Sequence, residues 1–202
     1  MRGLLLGGAL ACAAGLACAQ DAAPAPPAAT AAEAEFVERQ IESDEGPLRF
    51  FWRALTATAP GPDATIAPDT ALNTSWLLHR HLARGAIEDA ALLSNAPRRR
   101  YEELKRYLEG VGKEAFQQVF GEYFVPGNRP VAEAAIGPHR LIVWHLQNAD
   151  RLAGEYYVEI EGRFMIDDGP SVPRNRLRRV LASLRAGQLP ASLPADPDKI
   201  SE

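Results

Sequence analysis

The apolar positions change period part-way along the chain. Across residues 36–124 they recur at helical spacing. In LRFFWRAL, Leu48, Phe51, Trp52 and Leu55 fall on one stripe, so this segment is expected to be helical. TALNTSWLLHRHLARG follows, with Asp69 placed as its N-cap, Arg84 in its last turn and Gly85 as its stop. IEDAALLS reads as a short helix. SNAPRRRYEELKRYLEG offers Ser94 or Asn95 as a cap and Pro97 at a tolerated early position. It turns Tyr101, Leu104 and Leu108 inward and leaves Glu102 and Arg106 to pair outside. VGKEAFQQVFGEYF continues with Val111, Ala115, Phe116, Val119 and Phe120 as its stripe.

From Val131 the period is two. VAEAAIGPHRLIVWHL reads as two strands joined at Gly137-Pro138, which pairs Ile136 with His139 and Ala134 with Leu141. Both faces of this hairpin are substantially apolar, so the sheet is expected to be covered on both sides. VEIEGRFMIDD is a second hairpin. A three-residue loop around Gly162 would keep Val158, Ile160, Phe164 and Ile166 on one face. PRNRLRRVLASLRAG closes the pattern as a helix that buries Leu177, Val180, Leu181 and Leu184. The fold class is α+β: N-terminal helices on an antiparallel sheet, then a C-terminal helix.

The ends behave differently. MRGLLLGGALACAAGLACAQD has a positive start at Arg2, an apolar core over 4–16 and Ala17-Cys18-Ala19 as a small-x-small cleavage site. The expectation is a signal peptide at 1–19, removed after Ala19, and a periplasmic or secreted chain. Against a lipoprotein, the positions three before Cys12 and Cys18 hold Ala9 and Gly15 rather than a large aliphatic residue. Residues 20–35 are a Pro/Ala-rich spacer, and 188–202 a Pro-punctuated polar tail expected to be disordered. A single domain at 36–187 remains. Both cysteines lie in the segment to be removed, so the mature chain has no thiol chemistry. No stretch reads as a transmembrane helix.

The chain has 22 Lys+Arg against 26 Asp+Glu, a net charge of −4. Without Arg2 the count is 21 against 26, or −5. That balance excludes the strong basic excess of a nucleic-acid binder.

The order of elements, helices and then an antiparallel meander ending in an acidic-Gly-basic-aromatic hairpin, resembles the nuclear-transport-factor-2-like (cystatin-like, SnoaL-like) superfamily. The pieces that carry the resemblance are LLHRHLARGAIEDAALLS, the helical region 101–124 and VEIEGRFMIDD, together covering residues 69–168. It implies a curved sheet wrapped around a long helix as a cone. The helix over 173–186 is an addition to that pattern, and residues 36–59 have no counterpart in it. Members include isomerases, cyclases and dehydratases, and also binding domains without chemistry, so fold alone does not choose a function.

Candidate residues are few. In HRH, His79 and His81 sit two apart on a helix and point about 200° from each other, which rules out a shared metal ion. His79 follows Trp76 by one turn and is placed to line the mouth of the cone. His139 and His145 share a strand face but lie six residues apart, too far for one site at about 3.3 Å per residue. Trp76, His79 and His145 are therefore the candidate ligand-binding residues, with a core role as the plainer reading of each histidine. Asp167 and Asp168 project to opposite faces and precede Gly169-Pro170, as acids ending a strand would. Arg178 and Arg179, on a helix without acidic residues, are the candidate partner-binding pair. No catalytic residue, metal ligand or cofactor is assigned. The expected function is an exported, non-catalytic cone domain for a small molecule or a protein, with room for a homodimer through the outer sheet face. The alternatives are a small enzyme of the same fold and a periplasmic inhibitor or immunity-type protein.

Overall fold

The computed structural model describes residues 35–42, 46–149 and 151–188. The signal segment, nearly all of the spacer and the tail after Gln188 lie outside them. Two strands come first, β1 (Val37–Ile41) and β2 (Leu48–Ala54). Helices α1 (Ala71–Ala83), α2 (Ile87–Leu92), α3 (Pro97–Val111) and α4 (Lys113–Gly121) follow. Strands β3 (Arg129–Ile136), β4 (His139–Leu146), β5 (Arg151–Ile160) and β6 (Arg163–Ile166) complete one six-stranded antiparallel sheet in the order β1-β2-β3-β4-β5-β6. Helix α5 (Val172–Arg185) ends the described chain. The α+β class therefore holds.

The first correction concerns LRFFWRAL, which is strand β2 and not a helix. Its burial alternates: Leu48, Phe50 and Trp52 face the core while Arg49 and Phe51 are exposed. Cross-strand pairing with β1 and β3 overrides the helical stripe. The β3–β4 hairpin has the anticipated register, Ile136 opposite His139 and Ala134 opposite Leu141. A bulge at Val131 admits Pro130 within β3.

The β5–β6 hairpin is the second correction. Ile160 pairs with Arg163 and Glu159 with Phe164, so the turn has two residues rather than three. Glu161 and Gly162 both take positive φ, 51° and 76°, as a type I′ turn requires. Phe164 and Ile166 consequently share a face with Tyr157, while Val158 and Ile160 face away from it, and Ile160 is exposed.

The sheet is covered on both sides. Ile142, Trp144, Leu146 and Tyr157 pack with α1–α4 residues such as Trp76, Leu82, Leu104 and Phe116. Ala132, Ala134, Leu141 and Val143 pack with Leu177, Val180, Leu181 and Leu184 of α5. Helix α5 lies on β3, β4 and β5 on that face. Gly154 is what lets α5 sit so close: a Cβ there would run into Leu181 Cδ2 and lie 3.0 Å from Leu141 Cδ1.

Capping also differs in detail. Thr70, not Asp69, caps α1, accepting from the Asn73 N–H at 3.0 Å. Asp69 instead receives the Asn73 side-chain amide. Ala96 precedes Pro97 at the start of α3, where the Ser94 hydroxyl accepts from the Ala96 N–H. Phe116 is fully buried in α4, but Val111, Ala115 and Val119 of the expected stripe are exposed. On the outer face of α3 the i,i+4 pairs are Arg99–Glu103 and Lys105–Glu109, and Arg106 bonds the Glu102 carbonyl rather than its side chain.

Candidate functional site

Strand β5 alternates its side chains between the two layers. Gly154 and Tyr156 face α5, and Glu155 and Tyr157 face α1–α4. Pairing with β6 covers only Tyr157 to Ile160 of β5. Beside the stretch of β5 that β6 leaves uncovered lies a cavity of about 310 Å³, bounded by α1, α3 and α4, with Glu155, His79 and Tyr123 among its walls.

Helix α1 places Ser75 and His79 one turn apart on the face that meets β5. The Glu155 carboxylate is the hub. Its Oε2 accepts from Ser75 Oγ at 2.5 Å, from the Tyr157 hydroxyl at 2.8 Å and from Trp144 Nε1 at 3.2 Å. Its Oε1 lies 2.5 Å from His79 Nε2, but off the line of a hydrogen bond, and neither ring nitrogen of His79 has a partner in bonding geometry. His79 is 1% exposed, stacked against Tyr123 with ring centroids 3.4 Å apart and met edge-on by Trp144. Glu155 keeps 16% of its side chain exposed.

Burial pushes the Glu155 carboxyl up. The close approach of His79, with hydrogen bonds from Ser75 and Tyr157, outweighs this and holds it below its ordinary value. The opposite holds for the phenols. Burial, and then the Glu155 charge, raises Tyr123 and Tyr157 well above theirs.

A second polar cluster closes the far wall. Asp168 takes Arg100 through two bonds of 2.9 and 2.7 Å and the Ser94 hydroxyl at 2.5 Å. Arg99 donates to its backbone carbonyl. Asp167 lies 3.0 Å from His139 Nδ1 and accepts from the Asn95 amide. The two aspartates do follow β6, but both are buried and partnered rather than simple turn residues.

Of the anticipated residues, only His79 reaches the cavity. Trp76 is a core residue, edge-on to Trp144 at 4.7 Å. His145 stands opposite Leu152 on the other face of β4 from Trp144. Arg178 and Arg179 lie on α5, away from His79, where Arg178 is exposed and close to Tyr156. His81 points off α1 toward Asp89, at 3.7 Å, so the histidines of HRH do diverge. The residues not anticipated are Glu155, Ser75, Tyr123, Tyr157 and Trp144. One trace of them was in the sequence: a serine and a histidine one turn apart on an apolar helix face. Among the described residues no group of three His, Cys, Asp or Glu is arranged for a metal ion, and no helix is long and apolar enough to cross a membrane.

Comparison with family models, curated proteins and solved structures gives no match.

Proposed function

We propose that this chain is an exported, non-catalytic binding domain for a small ligand, built as a cone of the nuclear-transport-factor-2-like kind. The observation that carries the reading is the cavity of about 310 Å³ with a partly exposed carboxylate, Glu155, in its wall. Ligand pockets start at about 300 Å³ and combine apolar walls with a few convergent polar groups. Leu78, Leu82, Leu104 and Phe120 are the apolar part here. Export rests on the signal-like residues 1–19, and the cone on the order of elements.

Catalysis is the second reading, favoured by the 2.5 Å approach of His79 to Glu155. A general base near neutrality needs a raised carboxyl pKa, and Glu155 is held low by its donors, so binding fits better.

The test is purification from the periplasm without added ligand, where the mature N-terminus should be Gln20. Native mass spectrometry and titration with a mixed panel of small cationic, neutral and anionic compounds follow. Trp144, bonded to Glu155, serves as the fluorescent reporter. Retained ligand or saturable quenching is expected. An empty chain that no compound in the panel perturbs would sink the reading.

A further inference from the structure

We infer that the pocket selects a small organic amine with an apolar body, its ammonium group held by Glu155 Oε1. This rests on the pocket reading above and specifies its ligand.

The cavity has three carboxylates in its walls, and they are not equivalent. Asp168 is neutralised by the two-bond Arg100 contact, and Asp167 is held by His139 and Asn95. Glu155 has three neutral donors, all on Oε2. At Oε1 the one basic neighbour is His79 Nε2, which is close but misaligned. Its other nitrogen is buried without a partner, so the imidazole satisfies neither itself nor the carboxylate. A carboxylate removed from water is costly unless a well-placed counter-charge accompanies it. Oε1 is therefore the acceptor left for an incoming donor.

Charge and shape agree on the kind of donor. The cavity walls include three acids, Glu155, Asp167 and Asp168, against two guanidinium groups, Arg100 and Arg174. Arg100 is committed to Asp168, and Arg174 donates to the Gly169 carbonyl. An anion entering here would meet the Glu155 charge, while Arg174, whose Nε is buried without a hydrogen-bond partner, lies over the Tyr156 ring on the α5 side of the sheet. Tyr123 and Phe120 present aromatic rings next to Glu155 and His79. A carboxylate beside aromatic rings suits an ammonium ion, which gains from both the charge and the ring quadrupoles. The leucines accept the apolar remainder. An amine bound at Oε1 supplies the aligned donor that His79 does not.

Three probes of matched size test this on the unmodified protein: benzylamine, benzyl alcohol and benzoate, titrated by calorimetry at neutral pH. Benzylamine should bind at least about tenfold more tightly than the alcohol, the equivalent of about 1.4 kcal/mol. Benzoate should not compete, and Glu155→Gln should remove the preference for the amine. Alcohol or benzoate binding as well as benzylamine would overturn the amine assignment while leaving the pocket standing. Failure of all three alongside binding of other neutral or anionic panel compounds would do the same. Failure of every compound would remove the pocket reading too. The comparison of three ligands on one protein stays decisive even if the variant folds poorly.

Discussion

Replacing Glu155 by glutamine keeps the shape of the side chain and removes its charge. In the native protein, Ser75, Tyr157 and Trp144 converge on one oxygen of a carboxylate whose side chain is only 16% exposed. Hydrogen bonds to a charged acceptor contribute about 1.5–3 kcal/mol each, against about 1 kcal/mol for neutral pairs. The three donors share an acceptor, so their losses do not add, and a total of about 1–3 kcal/mol is expected. For a chain of this size, 1 kcal/mol moves the melting temperature by about 2–4 °C, which puts the shift at roughly 2–12 °C. The pH dependence gives the sign. The folded chain holds the Glu155 carboxyl below its ordinary value of 4.5, so as pH falls the unfolded chain takes up the proton first. The stabilisation is therefore complete above about pH 4.5 and is lost as pH falls through the lower folded-state value. Urea denaturation of both proteins at pH 7 and at steps down to pH 3 measures this. The gap should be largest at neutrality and narrow below pH 4.5. Equal stability at pH 7, or a gap that ignores pH, would refute the claim that an ionised Glu155 organises the network.

Two further substitutions address the packing and the turn. Gly154→Ala should destabilise by about 1–3 kcal/mol, because the added methyl meets Leu181 and Leu141 under α5. Leu181→Ala in the same chain should then cost less than in the native one, which a double-mutant cycle from denaturation curves would show, and purely additive losses would contradict the contact. Glu161→Asn should stabilise by about 0.5–1 kcal/mol, since Asn tolerates the left-handed conformation that Glu161 adopts at φ 51°. A midpoint that stays put or falls in urea would count against the turn assignment.

How far the sequence could be read follows from the kind of information each element needs. Helices α1, α2, α3 and α5 announce themselves locally, through Gly85, Pro97 and the leucines of the last helix. The Gly137-Pro138 hairpin does so through strict alternation on both arms. Strand β2 does not, because Leu48, Phe51, Trp52 and Leu55 satisfy a helical stripe as well as Leu48, Phe50 and Trp52 satisfy a strand. Its exposed Phe51 favoured the wrong template, and only its neighbours β1 and β3 decide between them. The last hairpin misled in the opposite way. Val158 and Ile160 look like core residues, whereas the buried face of β5 runs through Glu155 and Tyr157. A buried acid has no local signature, since what makes it tolerable is a set of donors from α1 and β4 far away in sequence. That is why His79 was visible as a candidate and its partner was not.

The contacts between the α2–α3 junction and the end of β6 bear on the order in which the molecule assembles. Asn95 N–H bonds the Ile166 carbonyl, Ile166 N–H bonds the Leu93 carbonyl, and the Ser94 hydroxyl meets Asp168 across 74 residues. The helices between Pro97 and Gly121 can form from local contacts. Joining Leu93–Asn95 to Ile166–Asp168 closes a loop that contains α3, α4 and the β3–β5 meander. Such a closure loses chain entropy before it gains any bond, so it becomes favourable only once the intervening elements are packed. The far wall of the cavity is thus among the last parts of the molecule to be completed. Until then Arg100 and the two aspartates remain in water, where their charges cost nothing.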